Sequence, residues 1–137
     1  MRIFLDANIL FSAAKSDGSI RRLLNLLIKA GHECRVDGYV VEEARRNLAV
    51  KMPEHLSELN SILSHLKVSD TQPLSKLPEA VNQLPEKDQP VIAAAIRLEC
   101  EALVTGDRTH FGPWYGKKLG SVKIFSPRLL AEALGII

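Results

Sequence analysis

The residues of this chain best suited to chemistry are carboxylates that recur where elements begin or end: Asp6, Glu43, Asp88 and Asp107. Asp6 closes the short apolar run Ile3-Phe4-Leu5, and Asp107 follows Ala102-Leu103-Val104-Thr105-Gly106. Asp88 stands just before Gln89-Pro90, and Glu43 falls early in a helical stretch opened by Tyr39-Val40-Val41. Carboxylates gathered in one place repel, which raises their pKa values or calls for cations. Hard divalent ions remove the conflict, since Mg²⁺ or Mn²⁺ binds a few carboxylates together with waters and a substrate phosphate. Such an ion polarises a phosphoryl oxygen and makes water nucleophilic near neutral pH. Two ions ~3.5–4 Å apart stabilise both the attacking and the leaving oxygen. Filled with metal, a pocket of this kind cleaves phosphodiesters.

Each acid also has a duller use. Asp88 is well placed to cap the helix that Pro90 opens. Glu43, like its neighbour Glu42, can favour a helix dipole. Asp107 after a glycine suits a turn. Asp6 alone, directly after a buried run, has no evident local role. The site reading rests on all of them meeting.

The elements that must bring them together read as follows. Short, continuously apolar runs at 2–5, 102–105 and 122–125 predict strands buried on both faces, with a weaker strand at 34–37. Ile9 to Ala14 continue from Asp6 as a helical turn. Ser19 is expected to cap a helix in which Ile20, Leu23, Leu24, Leu27 and Ile28 share a face and which ends at Gly31. Pro53 opens another helix, with Leu56, Leu59, Ile62, Leu63 and Leu66 on one side. The pattern lapses over 69–87, where Pro73, Pro78 and Pro85 describe a surface connection holding one short helix. Val91 to Leu98 form an apolar helix of small residues, and Ser126-Pro127 opens a last helix as cap and first residue. This alternation predicts an α/β fold with a parallel sheet covered on both faces. Ligands of such sheets bind outside the carboxyl ends of the strands. Asp6 and Asp107 share that edge if their strands are neighbours, and Asp88 and Glu43, near helix starts, reach the same rim.

Bulk properties bound the rest. At 137 residues the chain makes a single domain, residues 1–137. No apolar run approaches the ~20 residues that cross a bilayer. Met1 leads straight into the first strand, which predicts that no signal or transit peptide precedes it. Cys34 and Cys100 form no C-x-x-C and read as reduced core thiols of a cytoplasmic protein. A formal charge of +2 is too small to argue nucleic-acid binding by itself. The histidines His32, His55, His65 and His110 show no metal-ligand spacing with one another or with the cysteines.

With these residues in hand, the sequence resembles the PIN domain, most closely the compact prokaryotic (VapC-like) kind found in toxins of toxin–antitoxin pairs. The resemblance covers essentially the whole chain. It is carried by Phe4-Leu5-Asp6-Ala7-Asn8-Ile9-Leu10, by Glu43 with Arg46 and Leu48, by Asp88-Gln89-Pro90-Val91-Ile92-Ala93-Ala94-Ala95, and by Leu103-Val104-Thr105-Gly106-Asp107 with His110-Phe111. It implies a three-layer α/β/α sandwich around a central parallel sheet, and Mg²⁺- or Mn²⁺-dependent ribonuclease activity. Carried over by position, Asp6, Asp88 and Asp107 hold metal, and Glu43 completes the ligand shell or acts through water. Asn8 and Thr105 orient the acids. Metal-activated water then attacks phosphorus, leaving a 5′ phosphate and a 3′ hydroxyl. The implied partners are an RNA substrate, a cognate antitoxin and a second copy in a homodimer, with no membrane.

Two positions depart from the pattern. Ala7 stands where many relatives carry Thr or Ser, and Thr109 where many carry a further acid. One-metal and two-metal chemistry both stay open. Around the acids, Arg45, Arg46, Arg108, Lys117 and Lys118 hold RNA phosphates or form a solvated face. His110 meets a phosphate or packs its loop. Trp114 and Tyr115 stack on a base or anchor that loop. The rival to the ribonuclease is a catalytically silent PIN-fold module that docks RNA or protein.

Overall fold

In the computed structural model, residues 1–73 and 79–136 are described. Among them, the strands are β1 (Arg2–Leu5), β2 (Glu33–Asp37), β3 (Lys67–Ser69), β4 (Ala102–Val104), β5 (Lys118–Leu119) and β6 (Val122–Phe125). They form one sheet in the order β3-β2-β1-β4-β6-β5. All neighbours are parallel except β5, which pairs antiparallel with β6. Parallel strands need long crossovers. The helices that supply them or follow the last strand are α1 (Ala7–Lys15), α2 (Ser19–Lys29), α3 (Gly38–Lys51), α4 (Leu56–Leu63), α5 (Gln89–Arg97) and α6 (Pro127–Leu134). The fold is the predicted α/β sandwich with a central, mainly parallel sheet.

The two central strands explain why the apolar runs carry no alternation. Ile3, Phe4 and Leu5 of β1 and Ala102, Leu103 and Val104 of β4 are all buried, because helices cover both sides of the sheet. Their register sets Phe4 opposite Leu103 and Leu5 opposite Val104. One residue further on, Asp6 and Thr105 come side by side at the carboxyl edge, where the Asp6 N–H donates to the Val104 carbonyl at 3.1 Å.

Helix starts follow local chemistry. The Asp6 carboxylate accepts from the Ala7 N–H at 2.8 Å and so caps α1. Asp37 accepts from the Val40 N–H at 3.3 Å to cap α3, and Ser126 accepts from the Leu129 N–H at 3.1 Å to cap α6. Gly31 follows α2 with φ +88°, a left-handed backbone that a side chain would disfavour. α5 buries Val91 through Ala95, and its small residues suit a helix packed against β4 and β6.

Several expected boundaries shift. Ser19 lies inside α2 and the capping position belongs to Gly18, which has no side chain to accept a bond. The Pro53 helix begins as a 3-10 turn, Pro53–His55, before α4. β3 and β5 were not expected. β3 is an edge strand with Val68 exposed, and β5 is two residues long, so neither carries an apolar run to read. In the surface connection, Pro78 lies outside the described residues, and a 3-10 turn at Glu79–Gln83 buries Val81.

Both cysteines are buried and free. Burial pushes the Cys34 thiol up to about 12 and that of Cys100 to about 11, which keeps them protonated and unreactive. No helix among the described residues is long and apolar enough to cross a membrane. Leu103 is fully buried in the sheet centre. Leu103→Ala is expected to cost ~2–5 kcal/mol in urea unfolding, the range for a buried Leu truncated in a core that relaxes only partly.

Candidate active site

Asp6 is the most enclosed of the acids, at 5% exposure. Its carboxylate is held from three sides. Oδ1 takes the Ala7 N–H, while Oδ2 accepts from the Thr105 hydroxyl at 2.7 Å and the Asn8 amide at 3.2 Å. Asn8 is fixed in turn: its Nδ2 also reaches Thr105 Oγ1 at 3.2 Å, and its Oδ1 accepts the Gly106 N–H at 2.8 Å. Thr105 Oγ1 further accepts the Asp107 N–H at 3.1 Å. Three donors occupy three of the ~4 lone-pair directions of a carboxylate, so one stays open. Burial is the larger effect on Asp6 and lifts its pKa from 3.8 to about 6; the bonds to Thr105 and Ala7 oppose the rise, and the charges of Glu43 and Asp88 add to it.

Asp88 does not cap its helix. It ends a 3-10 turn, Glu86–Asp88, its backbone is already helical, and its side chain makes no capping bond. The carboxylate instead approaches His110, with Oδ2 2.7 Å from Nδ1. That contact lacks hydrogen-bond geometry, and both atoms are buried without a hydrogen-bond partner among the described residues. Asp107 completes the group. Its Oδ1 accepts the N–H groups of Thr109 and His110, each at 3.0 Å, in a tight turn, while Oδ2 stands 3.3 Å from His110 Nδ1. One donor atom from each of Asp88, Asp107 and His110 lies within 4.8 Å of the others. A buried carboxylate oxygen with no partner is costly, and a cation is the natural compensation.

Glu43 lies on the second turn of α3, half-buried, with no ion pair or hydrogen bond among the described residues. Its charge is felt by Asp6 and by the Tyr39 hydroxyl, whose pKa is raised first by burial, then by Glu43, Asp88 and Asp6. Glu43 and Asp88 thus lie near enough to Asp6 to disfavour its charge, though Asp6 and Glu43 stand outside the close group of Asp88, Asp107 and His110. Glu42 points elsewhere and pairs with Arg46 at 3.9 Å on the exposed face of the helix. Arg45 is also exposed and donates to Asn60 at 3.2 Å. Arg108 is exposed next to Asp107 and lines a cleft of about 640 Å³ with Gly106, Gly112, Tyr115, Ser126 and Arg128.

The aromatic residues after the site serve the scaffold. The Tyr115 hydroxyl donates to the Thr105 carbonyl at 2.9 Å, and Trp114 packs against the core. Two supporting residues went unnoticed in the sequence. Asp37 caps α3 from the end of β2, one strand from Asp6, and is 2% exposed with Arg97 at 3.8 Å. Tyr39 donates to the Lys87 carbonyl at 2.7 Å and so ties α3 to the residue before Asp88. Asp37 ends a strand interrupted by Glu33 and Arg35, so no clear apolar run marked it as one marked Asp6. Tyr39 had no signal.

The buried Asp6 has a consequence for pH. Between the unfolded value of 3.8 and the folded value of about 6, the folded state binds the extra proton, so stability falls as pH rises through this window. The penalty is about 3 kcal/mol at ~1.4 kcal/mol per pKa unit and is complete above the folded value. Asp6→Asn is expected to remove this decline, measured by urea unfolding in EDTA across the window.

Comparison with known proteins bears on the fold and the family. The family model described as PIN domain matches residues 2–109. No curated protein matches the chain. Among solved structures, the chain resembles VapBC2 from Rickettsia felis bound to a DNA fragment from its promoter. The TM-score is 0.69 at 20% identity, over 92% of this chain and 98% of that one. It also resembles DNA-bound VapBC from Salmonella typhimurium (TM-score 0.65, 15% identity, 93% and 98% covered). A third is FitAcB from Neisseria gonorrhoeae (TM-score 0.60, 17% identity, 92% and 98% covered). At these identities the structures speak to the fold, while the family match spans most of the sequence. The chain belongs to the PIN domain family.

Proposed function

We propose that this protein is a divalent-metal-dependent ribonuclease and the toxin of a toxin–antitoxin pair. The single observation that carries the metal reading is the Asp88 carboxylate: buried, free of its capping duty, and with an oxygen that has no hydrogen-bond partner among the described residues. Asp107 stands beside it, and Asp88 and Glu43 both act on the charge of Asp6. Asp6, Glu43, Asp88 and Asp107 are the residues that would hold Mg²⁺ or Mn²⁺. These donors are oxygen-rich, as such ions require. A bound ion would supply charge for a phosphoryl oxygen and acidify a water.

The chain's own residues do the positioning. Asn8 and Thr105 fix the Asp6 carboxylate and so decide which of its lone pairs stays available. Arg108, exposed and next to Asp107 in the chain, is offered as the residue that takes an RNA phosphate and offsets the repulsion between acids and substrate. Arg45 and Arg46 are offered as further phosphate contacts on exposed α3. Family membership supports a nuclease. Likeness to chains solved as VapBC complexes supports an antitoxin partner, and a homodimer is proposed with it. Reduced, buried cysteines accord with a cytoplasmic setting.

The test is cleavage of a mixed RNA pool by purified protein in Mg²⁺, Mn²⁺ or EDTA. Divalent-dependent cutting is expected, falling ~100-fold or more in Asp88→Asn and in Asp107→Asn, as losses of groups that stabilise developing charge do. Both variants should still melt cooperatively. Mn²⁺ at a hundred times its dissociation constant should stabilise the wild type by ~2.7 kcal/mol. Undiminished cleavage in both variants overturns the reading. Metal-free, inactive wild-type protein would instead mark a silent docking module.

A further inference from the structure

We infer that His110 is itself a metal ligand, its Nδ1 joining Asp88 and Asp107 in a mixed nitrogen–oxygen site that favours Mn²⁺ and later first-row ions over Mg²⁺. The inference rests on the divalent-ion reading above and narrows it.

Geometry comes first. His110 Nδ1 lies 2.7 Å from Asp88 Oδ2 and 3.3 Å from Asp107 Oδ2. Adjacent donors on an octahedral ion with ~2.1 Å bonds stand about 3.0 Å apart. The two observed separations fall on either side of that value. If the imidazole simply held Asp88 by a hydrogen bond, the ring N–H would point at the oxygen. The contact does not have that geometry, and Asp88 Oδ2 and His110 Nδ1 are both left without a partner among the described residues. Asp88 is 9% exposed, so an unpaired oxygen there is poorly compensated by water. Two buried, unpaired donors that crowd each other are what a shared cation would reconcile.

The ring is also held in place by the backbone. Asp107 Oδ1 gathers the N–H groups of Thr109 and His110, and the Phe111 N–H returns to the Asp107 carbonyl at 3.2 Å. Phe111 is fully buried and anchors the far side of this turn. The imidazole is thereby folded back over the second oxygen of Asp107. Its side chain is 29% exposed, which leaves an approach for an ion from solvent. His32, His55 and His65 belong to no comparable group among the described residues.

The chemical consequence follows from the nitrogen. Mg²⁺ takes oxygen ligands and gains little from an imidazole, whereas affinity for nitrogen-containing sites rises from Mn²⁺ towards Co²⁺ and Ni²⁺. His110 therefore sets which ion the site selects.

The experiment uses the purified full chain and each ion alone. Calorimetric titration with Mg²⁺, Mn²⁺ and Co²⁺ is paired with electron spin-echo spectroscopy of the Mn²⁺-loaded protein, which detects a directly bonded ¹⁴N. Wild type should show the nitrogen coupling and bind Co²⁺ and Mn²⁺ more tightly than Mg²⁺. His110→Ala should lose the coupling and weaken Co²⁺ at least ~10-fold, with Mg²⁺ changed far less. His110→Asp, which restores an oxygen donor, should bind Mg²⁺ at least as well as wild type, still without the coupling. Metal binding by wild type with no ¹⁴N signal overturns the ligand assignment and leaves the nuclease reading standing, as does a signal that survives in His110→Ala. No binding of any ion by the wild type overturns both.

Discussion

The 2.7 Å hydrogen bond from Thr105 to Asp6 is the joint on which the site turns. It exists because β1 and β4 are parallel neighbours in a register that sets Leu5 against Val104, so the next residue of each strand meets the other at the carboxyl edge. From there the bonds run outward. Asn8 bridges Asp6 and Thr105 and also holds the Gly106 N–H, and Thr105 holds the Asp107 N–H. A single hydroxyl thus links the first strand's acid to the loop that carries Asp107 and His110. A polar network this enclosed is stable only when its members are satisfied. Asp6, Asn8 and Thr105 meet that condition. Asp88 Oδ2 and His110 Nδ1 find no hydrogen-bond partner among the described residues.

That contrast separates the hydrogen-bonded acids of the rim from the pair proposed above to take a cation. Burial makes ionised Asp6 expensive, and hydrogen bonds from Thr105 and Ala7 recover part of the cost. Strain in the charge balance is therefore built into the fold, and a cation would relieve it. Glu43, with no partner among the described residues, and Asp88, beside His110, add repulsion to Asp6. Destabilised groups at functional sites are commonly offset elsewhere in a fold. Here the compensation lies in the apolar sheet centre, where Ile3 to Leu5 of β1 and Ala102 to Val104 of β4 are buried.

The same physics explains which residues near the acids are structural. Tyr39 and Tyr115 both spend their hydroxyls on main-chain carbonyls, of Lys87 and Thr105, directly beside Asp88 and the Asp6 network. Each fixes a segment carrying an acid. The cationic side chains behave differently. Arg45 and Arg46 are engaged along the exposed face of α3, whereas Arg108, adjacent to Asp107 in the chain, lines a cleft with Gly106, Tyr115 and Arg128. Position relative to the cleft, and not the count of basic residues, distinguishes them.

The sequence alone determined the strands 2–5 and 102–105, because only strands buried on both faces are apolar without alternation. It also determined the α/β class, through helix-period segments set between those strands, and the Ser126 cap. Acids directly after buried runs marked the candidate site at the carboxyl edge of the sheet. Tertiary structure decided what each acid does there. Asp6, with no evident local duty in the sequence, caps α1, while Asp88, with an evident one, leaves it unfilled. Local preference cannot foresee this, since the Glu86–Asp88 turn draws Asp88 into helical backbone and turns its carboxylate towards His110. The pairing of His110 with Asp88 joins residues 22 positions apart that share no spacing rule, and Asp37 hid in a strand too weak to read clearly. β3 and β5 were equally silent, one exposed at the sheet edge and the other two residues long. Sequence period reports burial; the meeting of side chains from different elements is fixed only by strand register and helix packing.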